Sequence, residues 1–249
     1  NVWWSLANEY DLMHEKTLSD WERYAGIICE KDPYHHLRSI HNCKAYYDYN
    51  LPWITHCSIQ RTETYRSSEL VNEWREKYHK PVVLDEICYE GNIQFGWGNI
   101  SGEEMTRRFW EAFCRGGYPG HGETYLSPDR ILWWSHGGVL YGTSPERIKF
   151  LAKIMGETPG LGVEPMPCKW DEVACRAAGF PARKDYFIYY YSFMRPGFRD
   201  FYFDDTTEYQ VEIIDTWEMT ITDGGIHKGK FRVQLPGKEY MAVRLRVAK

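Results

Sequence analysis

The chain has 249 residues, a formal net charge of −5 and 43% hydrophobic residues, an ordinary composition for a globular protein. Its Lys and Arg residues are dispersed, which argues against nucleic-acid binding and against an anionic membrane surface. No apolar run approaches the roughly 18 residues that a membrane-spanning helix needs, and no signal peptide is visible. Seven cysteines without paired short spacings favour reduced thiols over a disulfide framework, so we expect a cytoplasmic protein.

Through residues 1–157, apolar runs of strand length alternate with segments of helical period. The predicted strands are short and apolar and lie at 1–7, 37–42, 53–60, 82–85 and 131–134. The predicted helices have helical apolar spacing or a cap signal, such as Ser19 with Glu22, and lie at 19–30, 64–79, 103–115 and 145–155. This alternation predicts a parallel α/β arrangement, yet it supplies only five strand–helix units where a closed (β/α)8 barrel needs eight.

From residue 156 onward the helical periods end. The Gly-rich and Pro-rich stretch at 156–162 is predicted to be a linker, and short alternating strands are predicted at 185–191, 198–203, 209–214, 217–222, 230–235 and 241–247. Turns are expected at 223–225 and 236–237, where glycines occur. The pattern predicts a small antiparallel β-sandwich. We therefore expect two domains, at 1–157 and 158–249.

Two of the predicted strands are each followed by a glutamate. The apolar run 1–7 leads into Asn8 and Glu9, and the run 81–85 leads into Glu86. Glycoside hydrolysis uses two carboxyl groups, one that protonates the leaving oxygen and one that attacks the sugar or activates water. Because the strand ends of a barrel meet at one face, the two glutamates are expected to converge there. A single such Glu would more often be structural, and it is the pair that favours catalysis.

These segments resemble a known group of enzymes. Residues 4–9 (WSLANE) and 80–86 (KPVVLDE) resemble the strand-four and strand-seven signatures of clan A glycoside hydrolases. Residues 85–91 and 214–220 resemble the apiosidase-like group, whose (β/α)8 barrel is followed by a small β domain. The resemblance implies that the chain is the second part of such a barrel, strands four to eight, plus that domain. It also implies that Glu9 is the acid/base and Glu86 the nucleophile of a retaining reaction, roles that spacing alone does not assign.

Polar residues near the two glutamates are candidates for substrate binding. By the same resemblance, Asn8 would hydrogen-bond the sugar hydroxyl next to the reacting carbon. His41 and Asn42 close a strand on the same predicted face, and His41 either binds substrate, holds Glu86 ionised or is a satisfied core histidine. Glu90 competes with Glu86 for the nucleophile role. We expect Glu90 instead to hydrogen-bond the substrate or to support a neighbouring residue.

Aromatic residues make up 16% of the chain, and exposed rings can stack on the apolar faces of sugars. Trp134 ends the last predicted barrel strand and matches the aromatic platform that clan A enzymes place under the reacting sugar. Trp97, between two glycines, is expected to form a wall of the pocket. Weaker candidates for substrate contact are His56, Gln60 and Tyr125, and Asp85 is predicted to be a structural partner because it points away from Glu86 on a strand.

Other functions remain open at this point. The His and Cys residues between 35 and 57 lack the spacing of a zinc site, so we predict no metal and no cofactor. A non-catalytic carbohydrate-binding protein is the main alternative, as an incomplete half-barrel that needs a partner chain. Because an open half-barrel would expose strand edges, a second polypeptide is one expected source of strands one to three. Whether the chain is an enzyme or a binding protein, its expected ligand is a carbohydrate.

Overall fold

The computed structural model describes residues 2–61, 66, 68–126, 139–168 and 173–248. The chain forms two compact units, one of Asn1–Ile100 with Gly117–Val139 and one of Ser101–Gly116 with Leu140–Lys249. The strand predicted at 131–134, with Trp134, lies outside the described residues. Within the described ranges, no helix has both the length and the apolar character to cross a bilayer.

The first unit is built from short parallel strands and two helices. In chain order these are β1 (Trp4–Ser5), α1 (Leu18–Lys31), β2 (Arg38–Ser39), β3 (Cys57–Gln60), α2 (Val71–Tyr78), β4 (Val82–Glu86), β5 (Glu90–Gly91), β6 (Gly117–Pro119) and β7 (Glu123–Thr124). β1 pairs with β2, β4 lies between β3 and β6, and β5 pairs with β7, all in parallel. The predicted parallel pairing is confirmed for β1 with β2 and for β3 with β4. β5, β6 and β7 were not predicted, because two or three residues carry too little alternation to detect.

The first strand differs from its prediction. It was expected to be buried, but Trp3 and Trp4 are 53% and 45% exposed. Among the described strands only β2 pairs with β1, so little chain covers these rings. The pattern of apolar residues identified a strand correctly, but burial depends on what packs against it.

Helix α1 begins one residue earlier than predicted, and its cap is a different residue. Thr17 is the N-cap, and its side chain and that of Asp20 form a capping box with the backbone. The predicted cap, Ser19, lies inside the helix. The sequence contains two overlapping cap signals, and the structure uses the upstream one, which moves the cap by two residues.

The second unit combines two helices with antiparallel sheets. Its elements are α3 (Gly102–Cys114), α4 (Ser144–Gly156), β8 (Val163–Met166), β9 (Val173–Ala177), β10 (Tyr186–Tyr190), β11 (Phe198–Tyr202), β12 (Tyr209–Asp215), β13 (Thr220–His227), β14 (Lys230–Gln234) and β15 (Met241–Val247). One sheet has the order β13-β12-β15-β10-β9-β8, and β11 pairs with β14. Trp110 of α3 stacks on Tyr190 of β10 with ring centroids 5.5 Å apart. Helix α3 also buries Arg107 and Arg108, whose guanidinium groups both donate to Glu104.

One prediction in this unit is wrong, and two strands were not predicted. β8 begins directly after the stretch predicted as a linker, and β9 is the next strand along the chain. The turn predicted at 223–225 is part of β13, which runs through both glycines. The pairing of β12 with β13 shifts register between Gln210 and Glu212, and Gly225 takes a φ of 82°. A bulge next to a glycine lets the strand continue where the sequence pattern predicts a reversal.

Candidate active site

The first unit contains a cavity of about 750 Å³ at the carboxyl ends of its strands. It is lined by Asn8, Glu9, Cys43, Lys44, Gln60, Arg61, Glu86, Cys88, Tyr89, Trp97, Gly122 and Glu123. A second cavity of about 270 Å³ shares Asn8, Glu86 and Tyr89 with it and adds His41, His56 and Asp85. The two glutamates predicted from the ends of separate strands therefore face the same cavity. A cavity of this size can hold a small-molecule ligand.

The backbone around Glu9 is held in an uncommon conformation. Glu9 has φ 54° and ψ 57°, in the left-handed region, and opens a 3-10 turn over Tyr10–Leu12. The Tyr10 N–H donates to the His41 carbonyl at 2.9 Å. The Asp11 carboxylate accepts from the backbone N–H of Cys43 at 2.6 Å and of Lys44 at 2.8 Å. These bonds clamp the Glu9 turn to the loop that follows β2, which compensates the strain and fixes the direction of the side chain.

Two side chains donate to the Glu9 carboxylate. Gln60 Nε2 lies 2.9 Å from Glu9 Oε1 and also 3.8 Å from Cys43 Sγ. The Cys43 thiol donates to Glu9 as well. Burial, then the bond to Glu9 and its charge, raise the pKa of the Cys43 thiol to about 11. Cys43 is therefore a hydrogen-bond donor at neutral pH and not a thiolate nucleophile.

Glu86 ends β4 beside Gln60, where the ladder between β3 and β4 shifts register. The Tyr89 hydroxyl donates to its carboxylate, and His41 Nε2 lies 3.8 Å from its Oε1. Burial raises the pKa of Glu86, and the charge of Glu9 adds to this rise, while Tyr89 and His41 oppose it. Burial and the charge of Glu86 also raise the pKa of the Tyr89 hydroxyl, which keeps it protonated as a donor. Glu86 is thus desolvated but supported as an anion.

Four predicted residues lie where they can face a ligand. Asn8 is exposed and lines both cavities, and buried His41 lines the smaller one. Trp97 lines the larger cavity, stacked on Phe95 and edge-on to Tyr89. His56 lines the smaller cavity, and burial lowers the pKa of its imidazole.

Other predicted residues are placed differently. Asn42 is fully buried, and its side-chain amide bonds the Gln60 backbone, with Nδ2 donating to the carbonyl at 3.3 Å and Oδ1 accepting from the N–H at 3.2 Å. Glu90 is 1% exposed and lines neither cavity, and the Tyr125 hydroxyl donates to it at 3.0 Å. Asp85 accepts a hydrogen bond from the Ser58 hydroxyl. Asn42 therefore organises the strand ends and does not face a ligand.

Sequence reasoning missed the supporting donors. Tyr89 was noted only as part of a family pattern, Cys43 as one of a His and Cys group, and Gln60 as a weak subsite candidate. The spacing of Tyr89, three residues after Glu86, was an available signal because a turn returns such a residue to the strand end. No local signal connects Gln60 or Cys43 with Glu9, which is 51 positions from Gln60.

Among the described residues, one group has the composition of a metal site. Ligand atoms of Glu90, His121 and Glu123 lie within 4.8 Å of one another, and burial lowers the pKa of His121, which favours a neutral imidazole. None of the three belongs to the stretch between 35 and 57 that the zinc alternative considered. Two buried carboxylates beside a neutral imidazole also fit a purely hydrogen-bonded cluster, so the group does not by itself indicate a metal.

Comparison with known proteins bears on the fold. Residues 170–246 match the family model described as Domain of unknown function (DUF5605). A solved structure from Bacteroides vulgatus ATCC 8482, provisionally assigned as a glycoside hydrolase, is 33% identical with a TM-score of 0.87, and the alignment covers 100% of this chain and 52% of that one. The chain thus spans about half the length of this similar structure. A search of curated proteins finds no match.

More distant structures agree. A glycoside hydrolase family 5 structure from the same organism is 17% identical with a TM-score of 0.67, covering 92% of this chain and 58% of that one. Another structure, named glycoside hydrolase, is 15% identical with a TM-score of 0.66, covering 92% and 61%. At these identities the likeness concerns the fold alone. The fold of the chain is that of glycoside hydrolases.

Proposed function

We propose that this chain carries the active site of a retaining glycoside hydrolase, with Glu86 as nucleophile and Glu9 as acid/base. The observation that carries the proposal is that both carboxylates line one cavity and lie close enough for the charge of Glu9 to raise the pKa of Glu86. Two interacting carboxyl groups in a cleft are the equipment that glycosidic bond cleavage needs. The glycoside hydrolase fold supports the same conclusion.

The contacts around each carboxylate are consistent with these two roles. Glu86 accepts a hydrogen bond from the Tyr89 hydroxyl and faces His41. Both contacts stabilise the ionised form of Glu86, which is the form that a nucleophile requires. Glu9 is half-buried beside exposed Asn8, so a leaving group and an incoming water can both reach it. Glu86 is also half-buried, so exposure by itself does not separate the two roles, and their assignment follows the resemblance of the two strand-end segments.

The reaction proceeds in two displacements. Glu86 attacks the anomeric carbon while Glu9 gives its proton to the departing oxygen, which leaves a glycosyl ester on Glu86. Glu9, now ionised, takes a proton from water, and the oxygen of that water displaces Glu86 with net retention of configuration. Asn8 would hold the hydroxyl next to the reacting carbon, and Trp97 would form the wall of the pocket.

The finer assignments belong to the same proposal. We place the chain in the apiosidase-like group of clan A, as strands four to eight of a (β/α)8 barrel at 1–157 followed by a β-sandwich at 158–249. Trp134, outside the described residues, remains the proposed platform under the sugar. The parallel pairing of β3, β4 and β6 and the antiparallel sheet of the second unit support this organisation. The substrate is an oligosaccharide or polysaccharide.

Trapping of the covalent intermediate tests the mechanism. The full chain is incubated with a panel of activated 2-deoxy-2-fluoro glycosides, and intact mass and peptide mapping are compared with those of Glu86→Gln. A sugar-sized gain on the Glu86 peptide, absent from the variant, is expected. Glu86 and Glu90 share this peptide, and an adduct that fragmentation places on Glu90 would make Glu90 the nucleophile. Absence of both adduct and turnover, with binding retained, would make the protein a carbohydrate binder.

A further inference from the structure

Gln60 has an unusual hydrogen-bonding position beside Glu9. It ends β3, is 5% exposed and lines the larger cavity. Its backbone N–H and carbonyl are both bonded by the Asn42 side chain, so the main chain is fixed independently of the Gln60 side chain. The hydrogen bonds of the Gln60 side-chain amide therefore depend on the groups that surround that amide.

The amide is satisfied at one end only. An ionised carboxylate only accepts, so the NH2 group must face Glu9, as observed at 2.9 Å. The oxygen then points elsewhere: Gln60 Oε1 is buried and has no hydrogen-bond partner among the described residues. Buried acceptors are nearly always bonded, so Oε1 is an acceptor available to a donor that comes within its reach.

Rotation of the Gln60 side-chain amide by half a turn exchanges the positions of its NH2 group and its oxygen. Oε1 would then face Glu9 and Cys43, and both can donate to it once Glu9 carries a proton. With Glu9 ionised, the observed orientation is preferred because Nε2 donates to the charge. The thiol of Cys43 donates in either case, since burial and Glu9 raise its pKa to about 11.

We propose that Gln60 is the positioning residue of Glu9 in both of its protonation states, donating from Nε2 to the carboxylate and accepting at Oε1 from the acid. Under the proposed function, Glu9 alternates between these states in every turnover, and a side chain that is both donor and acceptor holds the carboxyl in one place throughout. That catalytic use rests on the proposed function, whereas the hydrogen-bond exchange does not. The titratable and charged groups that line this cavity with Glu9 or lie beside it are Asp11, Cys43, Lys44, Arg61, Glu86, Tyr89 and Glu123.

The exchange is tested by NMR on the full chain, without substrate. The side-chain amide signals of Gln60 are assigned by their loss in Gln60→Met and followed from pH 3.5 to 8. We expect them to shift with the same midpoint as the Glu9 carboxyl carbon, and the shift to vanish in Glu9→Gln. Gln234, exposed on β14, supplies a matched amide that should not follow Glu9. Gln60 signals that stay constant, or that still titrate in Glu9→Gln, would overturn the proposal.

Kinetics separate this proposal from the function itself. In Gln60→Met, we expect kcat/KM for the glycoside that the chain cleaves to fall about tenfold. The alkaline limb of the pH profile of kcat/KM should move to higher pH, because the ionised acid/base loses a charge-assisted donor. The acid limb, set by Glu86, should stay in place, and Gln234→Met should match the wild type. A lower rate with unmoved limbs would mean a structural role and refute the proposal. If no glycoside is cleaved, the proposed function fails while the NMR titration still decides the role of Gln60.

Discussion

Replacing Tyr89 with Phe removes the hydroxyl that donates to Glu86 while leaving the ring beside Trp97. A hydrogen bond to a charged group contributes about 1.5–3 kcal/mol, and one pH unit corresponds to about 1.4 kcal/mol. The Glu86 side chain is 22% exposed, so solvent compensates part of the loss, and the lower end of the range applies. We therefore expect the titration midpoint of Glu86 to rise by about one pH unit in Tyr89→Phe.

Carbon-13 NMR of the glutamate carboxyl groups measures this midpoint directly, with Glu86→Gln to assign the signal. The acid limb of kcat/KM should move upward by the same amount, because attack requires ionised Glu86. Tyr125→Phe is the matched control, since that hydroxyl donates to Glu90 and its loss should leave the Glu86 midpoint unchanged. A midpoint that stays or falls in Tyr89→Phe would refute the view that this hydroxyl stabilises the carboxylate.

Three further outcomes follow from burial and charge. A carboxyl group whose pKa is raised in the folded state lowers the stability of the fold once the pH exceeds the pKa of the unfolded state. Glu86→Gln should therefore raise the Tm at pH 7, and the difference in Tm from the wild type should close toward about pH 4. An equal gain in Tm at both pH values would contradict this. Arg244 is 1% exposed and bonded to Glu212, so Arg244→Ala should lower the free energy of unfolding, measured in urea, by about 3 kcal/mol. Arg232 is exposed, and Arg232→Ala should lower it by less than about 1 kcal/mol. Equal losses in the two variants would contradict the expected effect of burial. Trp97→Ala should raise KM about fivefold with kcat little changed, as steady-state kinetics would measure, and a fall confined to kcat would contradict its role as a wall.

Local sequence signals determined much of the framework. The helix predicted at 103–115 agrees closely with α3, because Ser101 caps it and its residues favour a helix by themselves. The run before Glu86 predicted β4, since a short run of β-branched and apolar residues after Pro81 favours an extended backbone. Glu9 and Glu86 were identified because each follows such a run, and the cavity they share agrees with that expectation.

Other features depended on contacts between distant segments. Whether Asn42 faced a ligand or the backbone was decided by Gln60, 18 positions away, and the donors to Glu9 come from the end of β3 and from the loop after β2. β13 continues through its glycines because β12 accommodates a bulge there, which a turn signal cannot express. Strand ends and helix caps are local preferences that a sequence states by itself. Hydrogen-bond partners, burial and the pKa of Glu86 are decided only when the tertiary structure brings these segments together.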